Sequence, residues 1–143
     1  MKKIVSIKQI PDFVATHLIP LLETKRILTL TGPLGAGKTT LTKEFLRQCG
    51  ITATVTSPTF SYVNTYTNAL GHTFYHFDLY RLGSVDEFIA MGFDEHLNQP
   101  DSFCLIEWPE VITPLLSSFT NQTSKITLMH NPDNPEFRSV TID

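Results

Sequence analysis

Apolar residues along this chain fall into two alternating patterns. Short β-branched or alternating runs read as strands, and stretches with apolar residues three or four apart read as helices. A short opening strand is predicted over Ile4–Ile7, then a helix from Pro11 with Ile10, Val14 and Leu18 on one face. Pro20 is expected to kink or end that helix, because proline lacks a backbone donor and clashes one turn back. Ile27–Thr31 reads as a strand. Leu41, Phe45, Leu46 and Cys49 mark a helix that stops at Gly50. An extended, Ser/Thr-rich connection runs from Thr54 to Phe60. Tyr62–Tyr66 and Thr73–Phe77 read as paired strands around the turn Asn68-Ala69-Leu70-Gly71. Ser84, with Glu87 three residues on, is a capping box for a helix carrying Val85, Phe88 and Ile89. Gly92 is expected to break it before Phe93 and Leu97. Ser102–Ile106 is a short buried strand. Lys125–Met129 and Arg138–Ile142 are late strands separated by the turn-rich Asn131–Pro135.

Strands alternating with helices predict an α/β layer fold with a mostly parallel central sheet. The aromatic hairpin and the last two strands are expected to add antiparallel edges. The length, 143 residues, suits a single domain spanning 1–143.

The most specific chemistry lies between the second strand and its helix. Gly32-Pro33-Leu34-Gly35-Ala36-Gly37-Lys38-Thr39 fits the phosphate-loop pattern G-x-x-x-x-G-K-[ST] at every fixed position. Such a loop turns backbone N–H groups and a helix N-terminus toward phosphate oxygens. Lys38 is placed to reach the β- and γ-phosphates, and the Thr39 hydroxyl to bind Mg²⁺. This predicts ATP with magnesium as the ligand; the N-K-x-D guanine signature is missing, which argues against GTP.

A metal at such a loop needs a carboxylate at the end of a neighbouring strand. Phe103-Cys104-Leu105-Ile106-Glu107 supplies it as four apolar residues followed by an acid. Glu107 is therefore a candidate ligand of Mg²⁺ or orienter of water. Asp78, in His76-Phe77-Asp78-Leu79-Tyr80-Arg81-Leu82, follows an alternating strand and is a candidate near the γ-phosphate, with Arg81 to balance it. His76 is expected to pack or to make a structural hydrogen bond. Ser57-Pro58-Thr59-Phe60 stands where many triphosphatases sense the γ-phosphate, or is a plain Pro-initiated turn.

Composition narrows the class further. The chain is 41% hydrophobic and 17% charged, so a core is available, and its net charge of −3 with no basic run argues against gripping nucleic acid unaided. Cys49 and Cys104 sit in apolar surroundings and read as core thiols. The remaining histidines lack ligand spacing. No segment reads as a signal peptide or membrane span, so a cytoplasmic location is expected.

Taken together, G-P-L-G-A-G-K-T-T, S-P-T-F, H-F-D-L-Y-R-L, E-F-I-A-M-G-F and L-I-E-W-P-E resemble the TsaE family, also called YjeE, in order and spacing from about Ile27 to Glu110. The resemblance implies a small ATPase of P-loop fold that serves synthesis of threonylcarbamoyl-adenosine in tRNA. It implies TsaD and TsaB as protein partners, with tRNA met only through that complex and no membrane. By position it implies that Gly35, Ala36, Gly37, Lys38, Thr39 and Thr40 wrap the phosphates. It further implies that Thr39 and Glu107 hold Mg²⁺, and that Lys38, Asp78 and Glu107 serve hydrolysis. Trp108, Pro109 and Glu110 are implied near the nucleotide, and Asn134 as a late contact. The first helix is implied to help enclose the adenine near Asp12 and Phe13, although here it looks shortened by Pro20. A small-molecule kinase is a rival, but only Arg81 lies between Arg47 and Arg138 to serve an arginine-bearing lid. A nucleotide-gated binding module with incidental hydrolysis is the other.

Overall fold

A computed structural model describes residues 1–143. Seven strands form one sheet: β1 (Lys2–Ser6), β2 (Ile27–Thr31), β3 (Val63–Thr67), β4 (Thr73–Asp78), β5 (Ser102–Glu107), β6 (Thr123–His130) and β7 (Phe137–Ile142). Their order is β1-β7-β6-β2-β5-β4-β3. The four central strands are parallel to one another. The β3–β4, β6–β7 and β7–β1 pairings are antiparallel. The sheet is thus parallel at its centre and antiparallel at both edges, as the alternation of elements predicts. No helix is long and apolar enough to cross a membrane.

Four α-helical segments flank the sheet: α1 (Ile10–Phe13), α2 (Lys38–Gln48), α3 (Val85–Ala90) and α4 (Thr113–Leu116). The expected disruption at Pro20 takes a definite form. After α1 the chain widens to a π-type turn over Val14–Leu18, closed by the Ile19 N–H on the Val14 carbonyl. It then tightens to a 3₁₀ turn over Ile19–Glu23, where Pro20 donates nothing. Helix α3 departs in detail from the predicted capping box. The Ser84 hydroxyl accepts from Glu87 N at 3.1 Å, but the Glu87 carboxylate accepts from Gly83 N at 2.9 Å, one residue before the cap. The carboxylate still satisfies a free backbone donor at the helix entrance.

Strand alternation builds two cores. On one face, Leu28, Leu30, Phe74, Leu105, Ile126 and Leu128 pack against Leu41, Phe45 and Leu46 of α2 and Val14 and Leu18 of the N-terminal helical stretch. On the other, Ile27, Phe77, Cys104 and Ile106 pack against Phe88, Phe93, Leu97 and Ile112. Each such fully buried side chain stabilises by about 1.5–3 kcal/mol. Burial pushes the thiols of Cys49 and Cys104 up to about 12, consistent with core residues.

The same alternation positions the chemistry. Leu105 faces α2, so Glu107, two residues on, faces α2 as well. Phe74, His76 and Asp78 share that side of β4. Register sets Glu107 beside Leu30 of β2 and Asp78 of β4. Both acids therefore end their strands next to the turn that leads into α2.

Candidate functional site

The loop between β2 and α2 is locally determined. Gly37 takes a left-handed conformation (φ 101°) and Lys38 is the first residue of α2. Lys38 is 5% exposed, and its ammonium donates to the carbonyls of Gly32 at 2.5 Å and Pro33 at 3.0 Å. The Trp108 ring covers it, 4.0 Å from nitrogen to ring centroid. Desolvation lowers the Lys38 pKa from its ordinary value, while the charges of Glu107, Glu110 and Asp78 oppose that shift.

Thr39 and Glu107 meet directly, although 68 positions apart in sequence. The Thr39 hydroxyl donates to Glu107 Oε1 at 3.0 Å, with Oε2 at 3.2 Å. Its single proton is then committed, so the Ser57 hydroxyl 3.3 Å away donates to Thr39. Glu107 is 2% exposed, and its Oε2 lies 2.5 Å from His76 Nε2. Asp78 is half-buried and accepts from Tyr80 N at 3.1 Å. Burial raises its pKa first, with Glu107 adding to the rise; the Tyr80 N–H, His76 and Lys38 pull the other way.

Gly35, Ala36, Gly37, Lys38, Thr39 and Thr40 line a cavity of about 350 Å³ together with Ser57, Asp78, Glu107 and Trp108. A second, mostly apolar cavity of about 240 Å³ shares Gly35, Ala36, Gly37 and Thr40 with it. Ile7, Ile10, Phe13 and Leu41 also line this cavity; Asp12 does not.

Several expected residues lie elsewhere. Pro109 and Glu110 line neither cavity. They border a larger hollow of about 730 Å³ on the side of β2 away from α2, walled by hydroxyls such as Thr29, Thr113 and Ser124, which contains no loop residue. Glu110 nevertheless acts on Lys38 through its charge. Asn134 is absent from all three hollows. Its side-chain oxygen accepts from Glu136 N at 3.0 Å, which fixes the β6–β7 turn. Arg81 does not balance Asp78; its guanidinium stands 6.0 Å over the Phe60 ring. In the Ser57–Phe60 segment, Ser57 and not Thr59 reaches the cavity.

Two residues escaped the sequence reading as site components. His76 was expected to pack or to make a structural hydrogen bond; it makes the bond, and its partner is the strand-end carboxylate itself. Arg138, on β7, donates through Nε to Ala36 O at 3.1 Å and through Nη2 to Gly35 O at 3.3 Å. In a trans peptide N–H and C=O point in opposite directions. Holding the Ala36 carbonyl therefore turns the Gly37 N–H away from Arg138. The signal was a lone arginine in the otherwise uncharged strand Phe137–Ile142.

Comparison with known proteins shows the family. The family model described as "Threonylcarbamoyl adenosine biosynthesis protein TsaE" matches residues 6–139. A Haemophilus influenzae protein named tRNA threonylcarbamoyladenosine biosynthesis protein TsaE is 48% identical over 97 residues, covering 67% of this chain and 60% of that protein. The Rickettsia conorii protein of the same name is 44% identical over 97 residues, covering 67% of this chain and 54% of its own length. The match thus spans little more than half of these relatives. The crystal structure of Bacillus subtilis YdiB superposes with a TM-score of 0.67 at 26% identity, over 99% of this chain and 83% of that one. With a family model matching nearly the whole chain and the loop, strand-end acid and mixed sheet all in place, this chain belongs to the TsaE family.

Proposed function

We propose that this chain is the magnesium-dependent ATP-binding and ATP-hydrolysing component of tRNA N6-threonylcarbamoyladenosine synthesis. In this reading it supports turnover of a TsaB–TsaD complex and meets tRNA only through it. The observation that carries the reading is the Thr39–Glu107 contact at the entrance of α2, one residue from the buried Lys38. A hydroxyl and a carboxylate, both hard oxygen donors, converge there, which fits Mg²⁺.

Lys38 and the loop amides bind the polyphosphate. Lys38 exchanges the Gly32 and Pro33 carbonyls for phosphate oxygens, and the exchange favours the more strongly charged partner. Thr39 and Glu107 would hold the metal, which would supply positive charge to offset that developing in phosphoryl transfer. Asp78, half-buried beside Glu107, orients the attacking water. The apolar cavity around Phe13 and Ile10 takes the adenine. No arginine side chain lines the phosphate cavity: Arg81 lies over Phe60 and Arg138 is spent on loop carbonyls. Hydrolysis by the chain alone is therefore slow, and a partner orders the site.

Reconstitution tests this. The chain is mixed with TsaB, TsaD, tRNA and the activated threonylcarbamoyl donor. Multi-turnover product formation is expected to require the chain and ATP; product formation that continues unaltered when the chain is omitted refutes the reading.

A further inference from the structure

His76 occupies a position where sheet geometry asks for an apolar residue. It is 0% exposed, on the α2-facing side of β4, with Phe74 two residues before it and Leu105 as its partner across the β4–β5 ladder. Its Nε2 instead reaches diagonally to Glu107, two residues further along β5. The ring's other nitrogen, Nδ1, is buried with no partner. A carboxylate only accepts, so Nε2 carries a proton and donates it to Glu107 Oε2.

This contact makes the two carboxylate oxygens unequal. Oε2 is held by His76 at 2.5 Å. Oε1 has no hydrogen-bond partner but the Thr39 hydroxyl, which is nearer to it, at 3.0 Å, than to Oε2, at 3.2 Å. With Oε2 anchored in the sheet, the carboxylate cannot rotate about its terminal bond without breaking a fully buried hydrogen bond. Oε1 stays turned toward Thr39.

We propose that His76 is a positioning residue of the nucleotide site, which fixes the Glu107 carboxylate so that Oε1 and the Thr39 hydroxyl present a preset pair of oxygens to the divalent cation. This rests on the reading of Thr39 and Glu107 as the Mg²⁺ ligands. Outer partners of this kind change metal affinity by about 10–100-fold when removed.

The single tryptophan, Trp108, stands against Lys38 and serves as the probe. Its emission is followed while ADP is added in EDTA, and then while Mg²⁺ is added to the ADP-saturated protein. The full chain is compared with His76→Phe and His76→Met, which fill the space without donating, and with His76→Gln, whose amide nitrogen can donate from a similar reach. In the two apolar variants the half-saturating Mg²⁺ concentration is expected to rise by about 10–100-fold. Their ADP affinity in EDTA is expected to remain at the wild-type value, and His76→Gln is expected to recover much of the Mg²⁺ affinity.

An equal loss of metal-free ADP affinity means that His76 merely supports the loop, and overturns the proposal. So does an unchanged Mg²⁺ titration in whichever apolar variant folds, or failure of His76→Gln to recover. If the wild-type chain itself shows no response to Mg²⁺, the ligand assignment fails before any variant is made. Should neither apolar variant fold, the decision passes to Glu107→Gln and its double variant with His76→Asn, whose shorter amide falls short of Glu107. Mg²⁺ effects that simply add refute the coupling, and a double variant no worse than Glu107→Gln alone upholds it.

Discussion

The ammonium of Lys38 lies 4.0 Å from the centroid of the Trp108 ring and donates to the Gly32 and Pro33 carbonyls. Trp108 reaches this place in a left-handed backbone conformation, φ 56° and ψ 56°, which non-glycine residues adopt at a cost of about 1–3 kcal/mol. The cation–π contact and the Tyr80 ring, 4.8 Å from that of Trp108, help hold it there. Without nucleotide, the buried cation is thus satisfied by backbone carbonyls and an aromatic face.

In the proposed reading, bound nucleotide draws Lys38 from these partners, so Trp108 emission is expected to change on adding ATP. Lys38→Ala removes a charge-assisted contact worth about 1.5–3 kcal/mol. ATP affinity, measured calorimetrically, is expected to fall by about 10- to 150-fold. Hydrolysis at the wild-type rate in this variant argues against the loop as the phosphate site.

Thr39→Val keeps the shape of the side chain and deletes the hydroxyl that meets Glu107. Stimulation of hydrolysis by Mg²⁺ is expected to drop at least about tenfold, the effect of losing one contact to a charged group. Nucleotide binding in EDTA is expected to persist. Parallel phosphate-release and binding measurements separate the two effects.

The loop glycines differ in what a side chain meets. At Gly32 a Cβ falls 2.2 Å from the Leu128 carbonyl oxygen, and φ is 144°. At Gly35 the nearest atom is 3.9 Å away and only the left-handed φ of 75° opposes substitution. Urea denaturation is expected to show Gly32→Ala losing about 2–5 kcal/mol, from overpacking plus backbone strain, and Gly35→Ala about 1–2 kcal/mol. Equal losses are the contrary result.

Asp78 carries a penalty rather than a gain at neutral pH. Burial raises its folded pKa above the ordinary value of 3.8. Between the two values the folded state binds more protons than the unfolded one, so stability falls as pH rises through that window and levels off above it. Asp78→Asn keeps an oxygen to accept from Tyr80 N and removes the charge. It is expected to raise the melting temperature of the ligand-free chain at pH 7. The gain is expected to vanish as pH falls toward 3.8. A gain independent of pH contradicts the desolvation argument.

Local chemistry was legible from neighbours along the chain. The Ile27–Thr31 strand was read to the residue, because five β-branched or apolar positions run directly into a glycine loop. Helix α2, the antiparallel edges and Gly92 as a helix stop were legible for similar reasons. The turn Asn131–Pro135 was also legible, but the backbone bond that Asn134 makes was not. An asparagine in such a turn can satisfy its own backbone or a ligand, and here its side-chain oxygen accepts from Glu136 N.

The sequence alone determined which groups are available: a phosphate loop, a hydroxyl after its lysine, and acids ending two strands. Tertiary structure decided which of them meet. His76 and Glu107 lie 31 positions apart, and Arg138 lies 102 from Ala36, so only strand register brings each pair together. A shift of one residue in that register sends a side chain to the opposite face of the sheet. Residue type fixes what a side chain can donate or accept; its partner is fixed by packing summed over the whole sheet.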